Sequence, residues 1–237
     1  AAVKKRVMMI GAGPAGMECA ITAAKRGHEV TVYEKSGHIG GNLVGFGNHD
    51  LARPDDLMSV VRHYEVMTRK HRVEVKLNAV ADVKFMRSVL HQYDVVVVAV
   101  GAGIDLGAYR EVAGHERIVD GLAFARGEVP AGNRVVVIGG GMVGLTLAES
   151  LKKRGAEVTI VEADKRIAGD VLPAYKWRHT SWIEEMEIRT LTQTRVTRVD
   201  AANVTVVNAK GTETVISADS VIAAAPRRSS QELFAEL

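Results

Sequence analysis

One cysteine, Cys19, is all that 237 residues provide. A single thiol excludes an intrachain disulfide, a redox C-x-x-C pair and an iron–sulfur cluster held by this chain alone. It fits a reducing, cytoplasmic setting, and its place in an apolar helical stretch predicts a small buried side chain. The net charge is only +3, and no run of like charges appears. No nucleic acid or anionic membrane partner is therefore expected. There is no signal-peptide pattern, and no apolar run approaches the roughly 18 residues of a membrane-spanning helix. None of the 8 histidines has a second ligand at metal-binding spacing, His63 and His71 included, so no metal is expected. No Ser-His-Asp signature and no paired carboxylates can be placed. The chain begins Ala1-Ala2-Val3-Lys4 without a methionine, which suggests a piece of something longer.

What is present is a duplication. Val7-Met8-Met9-Ile10-Gly11-Ala12-Gly13-Pro14-Ala15-Gly16 returns as Val135-Val136-Val137-Ile138-Gly139-Gly140-Gly141-Met142-Val143-Gly144, an offset of 128. The offset holds through Lys25-Arg26-Gly27 and Lys153-Arg154-Gly155 to Ile39 and Ile167. Each copy is an apolar run, then G-x-G-x-x-G, then a helical pattern. An acid follows 23 residues after the first glycine, Glu34 in one copy and Glu162 in the other. This spacing suits a pyrophosphate. The first glycine allows a tight turn, the second lets the backbone approach phosphate, and the third lets helix pack on strand. The free N–H groups and the positive end of the helix dipole hold the anion. The carboxylate ending the next strand accepts from a ribose diol.

Along the chain, Arg6 to Ile10 reads as a buried strand, about Pro14 to Arg26 as a helix with Met17, Ala20, Ile21 and Ala24 inward, and Glu29 to Glu34 as a strand. Gly40-Gly41 then offers backbone N–H groups to the same pyrophosphate. Gly45 to Arg53 reads as loop. A helix opens at Asp55-Asp56 and runs to about Lys70, with Leu57, Val60, Val61, Tyr64 and Met67 as its apolar stripe. Val73 to Leu77 is a short strand, and Asp94 to Gly101 reads as a strand buried on both faces. Ala102 to Arg134 is a crossover with a helix near Asp120 to Arg126. In the second copy, strand Arg134 to Ile138, helix Met142 to Arg154 and strand Glu157 to Glu162 follow in order. Lys165 to Asp170 is loop. Tyr175 to Met186 is a helix whose Trp177 and Trp182 read as packing. Glu187 to Ala209 and Glu213 to Ile216 form an antiparallel meander, and Ser217 to Ala225 is a buried strand closed by Pro226. The expected domains are 1–107 and 108–226, with 227–237 returning to the first.

Tandem units of this kind, the first reading Gly-Ala-Gly-Pro-Ala-Gly and followed by Gly40-Gly41, resemble two-domain FAD/NAD(P)H flavoprotein reductases. Gly11 to Glu18, Ala23 to Val30 and Tyr33-Glu34-Lys35 are similar to the C-terminal half of a group of old-yellow-enzyme-like iron–sulfur flavoproteins. That group comprises 2,4-dienoyl-CoA reductase, trimethylamine dehydrogenase and NADH:flavin oxidoreductase. The likeness covers nearly the whole chain. It implies an α/β fold of two Rossmann-like dinucleotide-binding domains with mainly parallel sheets. It implies that Gly11, Gly13, Pro14 and Ala15 hold the pyrophosphate of FAD, or of ADP in its site, with Glu34 on the ribose and Lys35 beside it. Gly41, Asn42 and Leu43 would continue that site, and Val80 would meet the adenine through its backbone. Ala99-Val100-Gly101 stands where the family often has Ala-Thr-Gly. Gly139, Gly141, Met142 and Val143 would hold NAD(P)H, with Glu162 on its ribose. An acid there disfavours a 2′-phosphate and so favours NADH over NADPH, although Lys165 and Arg166 lie nearby. Ala223-Ala224-Ala225-Pro226 stands where the family usually has a glycine. The family's FMN-bearing (β/α)8 barrel, its four-iron cluster and its flavin-gripping closing segment are not among these residues.

The resemblance implies an electron-transfer module of an NAD(P)H-dependent flavin oxidoreductase. It would pass hydride from NAD(P)H to FAD and on to an FMN/iron–sulfur barrel. A nucleotide-binding domain without turnover, holding ADP or loosely bound FAD, remains the alternative. A stand-alone single-cofactor dehydrogenase would need a catalytic set beside the nicotinamide, and the sequence offers none.

Overall fold

The two apolar runs of the repeat become the inner strands of two separate sheets. The computed structural model describes residues 3–47 and 54–236. In chain order the first elements are β1 (Arg6–Ile10), α1 (Pro14–Lys25), β2 (Glu29–Tyr33), α2 (Asn42–Gly47), α3 (Pro54–Lys70), β3 (Glu74–Lys76), α4 (Val83–Val89) and β4 (Val95–Val98). Next come β5 (Ala102–Ile104), β6 (Ile118–Asp120), α5 (Gly121–Ala125), β7 (Arg134–Ile138), α6 (Met142–Lys153), β8 (Glu157–Val161) and α7 (Pro173–Glu185). The remainder is β9 (Arg189–Leu191), β10 (Thr194–Val199), β11 (Asn203–Asn208), β12 (Glu213–Ser217), β13 (Ser220–Ala223), β14 (Arg227–Ser229) and α8 (Glu232–Glu236). The described chain divides into two compact units, one of residues 3–47, 54–102 and 229–236, the other of residues 103–228. The chain changes unit on β5 and on β14.

In the first unit four parallel strands lie in the order β3-β2-β1-β4. Successive side chains of a strand point to opposite faces. Val7 and Met9 accordingly join Met17, Ile21, Val61 and Tyr64 in one core, while Met8 and Ile10 join Tyr33 and Met86 in another. A strand covered on both faces must be apolar throughout, which is why β1 shows no alternation. The expected strand Asp94 to Gly101 is shorter, Val95–Val98, and its valines are only half-buried. The cause is position: β4 ends the sheet, with β1 on one side alone.

In the second unit five parallel strands lie in the order β6-β13-β7-β8-β9, and β10-β11-β12 form an antiparallel meander. Val196, Val204, Val206 and Ile216 of the meander pack with Val136, Ile138, Val161 and Val221 of the parallel sheet. The start of the expected meander, Arg189–Leu191, pairs with β8 instead and extends the parallel sheet. The crossover expected over Ala102 to Arg134 also contributes a strand, β6, beside β13.

Several local expectations need correction. Residues 42–47 are helical where loop was expected from Gly45 on; the rest of that stretch, 48–53, lies outside the described residues. Val60 is 37% exposed, while Val61 and Tyr64 carry the buried stripe of α3. Cys19 is exposed, not buried. At about 100° per residue it stands some 200° around the helix from Met17, away from the inward Gly16, Met17, Ala20 and Ile21. Trp177 is 66% exposed. Trp182 alone is half-buried, under the Arg178 guanidinium at 4.3 Å from its ring centroid. No helix among the described residues is long and apolar enough to cross a membrane.

Candidate functional site

The first cradle forms where β1 hands over to α1. Gly11 turns the chain with a φ of 99°, a conformation that side-chain-bearing residues rarely adopt. Gly16 lies against the turn so closely that a Cβ would collide with the Gly11 carbonyl oxygen. Gly13 is the N-cap of α1, and Pro14 opens the helix. A Cβ at Gly13 would meet nothing within 4 Å. The first and third glycines thus shape the turn and seat the helix, while the second faces free space at the positive helix end. A pyrophosphate fits such a place.

A carboxylate ties the cradle to the next strand. Glu34, 8% exposed, accepts from the Ala12 N–H through Oε2 at 2.7 Å and from the Ser36 N–H through Oε1 at 2.7 Å. A carboxylate has about four lone-pair positions, so two remain for a diol. The Gly40 N–H donates to the Ala12 carbonyl at 2.7 Å, and a Cβ on Gly41 would lie 3.1 Å from the Gly13 Cα. The glycine pair therefore lies over the first glycine-rich turn. Asn42 opens α2, and the Leu43 N–H donates to the Gly40 carbonyl at 3.1 Å. The Ala79 N–H donates to the Glu34 carbonyl at 2.8 Å, which sets Val80, 65% exposed, just beyond Glu34. Ala99 lies behind Gly11, its N–H donating to the Ile10 carbonyl at 2.8 Å. Lys35, Ala15 and Gly101 are exposed.

The second cradle repeats these contacts at the offset of 128. Gly139 has a φ of 102°, and a Cβ on Gly144 would collide with its carbonyl oxygen. The Gly140 N–H donates to Glu162 Oε2 at 2.6 Å, and the Asp164 N–H to Oε1 at 2.7 Å. The Ala168 N–H donates to the Gly140 carbonyl at 2.7 Å, as Gly40 does to Ala12. Met142, 37% exposed, and half-buried Val143 form the first turn of α6.

Two residues beside this cradle escaped the sequence reading. Asp170 places its carboxylate over Gly141, where a Cβ would meet Oδ1 at 2.8 Å and Oδ2 at 2.9 Å. The Met142 N–H donates to Oδ1 at 2.8 Å. The repeat could have disclosed Asp170, since the same offset places it on Asn42. Tyr109 donates its hydroxyl to the Ala225 carbonyl, and the Ala225 Cβ lies 2.7 Å from where a Gly139 side chain would begin. Burial, with the Glu162 and Asp105 carboxylates adding, pushes the Tyr109 hydroxyl up to about 12. Tyr109 lies in the crossover, which has no counterpart motif to flag it.

Residues 5–237 match the pyridine nucleotide-disulphide oxidoreductase family. The chain belongs to that family. It is 32% identical over 235 residues to a cinnamate reductase of Clostridium sporogenes, covering 98% of this chain and 34% of that protein. It is 33% identical over 235 residues to an NADH oxidase of Thermoanaerobacter brockii, covering 94% of this chain and 34% of that protein. Among solved structures, a 2-naphthoyl-CoA reductase in complex with 2-naphthoyl-CoA superposes with a TM-score of 0.91 at 30% identity, covering 100% of this chain and 35% of that one. The chain thus spans about a third of the length of these relatives. Within the pyridine nucleotide-disulphide oxidoreductases, these matches agree with the likeness of its sequence to the FAD/NAD(P)H-binding portion of old-yellow-enzyme-like flavoproteins.

Proposed function

We propose that this chain is the electron-transfer module of a longer NAD(P)H-dependent flavin oxidoreductase, with FAD in the first cradle and NAD(P)H in the second. The observation that carries this reading is the pair of carboxylate-tied glycine turns at one constant offset, each at a helix start. When bound, the pyridine nucleotide supplies a hydride and the flavin accepts it. The chain's own residues bind and orient. Gly11, Gly13, Pro14 and Ala15, with Gly41, Asn42 and Leu43, surround the pyrophosphate position of the first cradle, and Glu34 offers its free lone pairs to a ribose. Lys35, Val80, Ala99 and Gly101 complete that surround. Gly139, Gly141, Met142, Val143 and Glu162 do the same in the second cradle. No acid, base or nucleophile of the chain is required. Electrons would leave for an FMN and four-iron barrel on the same longer protein, in the cytoplasm; the one-third coverage of the relatives supports the longer protein. A carboxylate at Glu162 favours NADH over NADPH, because a 2′-phosphate would bring a second negative charge to it.

The test begins with the visible spectrum of the purified chain after incubation with FAD and removal of excess. A retained flavin band is expected; adenine absorbance alone would leave a nucleotide-binding domain without turnover. Gly13→Ala should then separate fold from binding. Its Cβ enters free space, so the melting temperature of the ligand-free protein should not fall. A nucleotide at about a hundred times its Kd adds about 2.7 kcal/mol to a folded protein, and the variant should lose that gain in the first cradle. NADH should bind more tightly than NADPH; equal affinity overturns the Glu162 assignment.

A further inference from the structure

Gly13 and Gly141 occupy the same place in the repeat but face different surroundings. Before Gly13 there is free space; before Gly141 stand both carboxylate oxygens of Asp170. The Met142 N–H, at the start of α6, donates to one of them at 2.8 Å. At the matching position of the first copy the residue is Asn42, which carries no charge. The two cradles agree in their glycine turns, in the carboxylate tie and in the return contact of Gly40 and Ala168; over the second glycine of the turn they differ in this charged group.

We propose that Asp170 makes the second cradle an exchange site, its carboxylate holding the anion position at the start of α6 that an arriving nucleotide pyrophosphate must take from it. This rests on the reading of the second unit as the pyridine-nucleotide site. The physical basis is competition between anions. A helix start offers unpaired N–H groups and a partial positive charge to one negative group. A carboxylate on the adjoining loop is present at a high effective concentration. When pyrophosphate displaces it, Asp170 remains nearby as a like charge. Both effects lower nucleotide affinity, and the waiting carboxylate reoccupies the helix start on release. A cofactor that must stay and a reductant that must leave after each turnover call for this difference. Asp170 is thus a specificity-determining residue of the module, set by charge and not by shape.

The test uses the full chain with its first cradle saturated by FAD, titrated with NAD+, which cannot reduce the flavin. Asp170→Asn keeps the size and removes the charge; Asp170→Ala removes the competing group altogether. Loss of one like charge near a water-screened site should tighten binding about three- to tenfold in both variants. NAD+ dissociation followed by stopped flow should slow in proportion. In the ligand-free protein, Asp170→Ala should speed amide exchange at Met142, a readout independent of any nucleotide. Affinity unchanged or weakened in both variants, or exchange at Met142 unaltered, overturns the proposal while leaving the site assignment standing. Failure of NAD+ to bind wild type and variants alike brings down the site assignment, and the proposal with it.

Discussion

A single methyl group distinguishes the roles of the glycines. At Gly16 and Gly144 a Cβ would collide with the carbonyl oxygen of the turn glycine behind it. Gly16→Ala and Gly144→Ala should therefore each cost about 1–3 kcal/mol or more, the usual range for overpacking, visible as a lowered urea midpoint. Tyr109 gives a prediction in pH. Burial pushes its hydroxyl up to about 12 in the folded protein, against about 10 in an unfolded chain. Below about pH 10 both states carry the proton, and its contribution to stability is complete. Between about 10 and 12 the unfolded chain releases the proton while the folded one keeps it, so stability falls as pH rises through that window. The tyrosinate absorbance of the folded protein should show a late step near 12 that Tyr109→Phe removes. A protein whose tyrosines all titrate together near 10 would contradict the partly buried hydroxyl and its bond to Ala225.

At the scale of elements, α6 and α7 share a buried polar contact. His179 Nδ1 lies 2.7 Å from Glu149 Oε1, with side chains 14% and 5% exposed respectively. His179→Ala leaves the Glu149 carboxylate buried without this partner, which should cost about 1–3 kcal/mol in urea unfolding. Nucleotide affinity should not change, because Glu149 lies two turns along α6 from the helix start. A strong loss of affinity at unchanged stability would assign the pair a part in the site. The helical periodicity of α1 was legible in the sequence, and so was its inward face; Cys19 was misjudged by residue type when its angular position already put it outside. The Val95–Val98 run was legible as strand but not as an edge, because an edge is defined by which strand comes next in space. Nothing local in Arg189–Leu191 distinguishes a meander strand from one that joins β8. The pairing of Thr159 with Arg189, 30 positions apart, decides it.

Across the whole molecule the duplication is the most legible feature, since an offset needs no structure to be counted. The glycine turns and the acids at 34 and 162 follow from it directly. The ties of these acids to main-chain N–H groups did not follow, because such groups carry no signature in a sequence. Each unit has its own buried core, so the two should report separately on damage. Gly16→Ala should lower the transition of the first unit, and Gly144→Ala that of the second, in hydrogen exchange resolved by peptide. A uniform loss across residues 3–236 from either change would mean one cooperative block. The tie of Glu34 to Ala12 and Ser36, and of Glu162 to Gly140 and Asp164, has a consequence for the life history of the protein. These knots use only the chain's own atoms, so neither receptacle needs its occupant in order to exist. Assembly and filling become separable events: a chain stripped of flavin should keep its receptacle and accept a replacement without refolding.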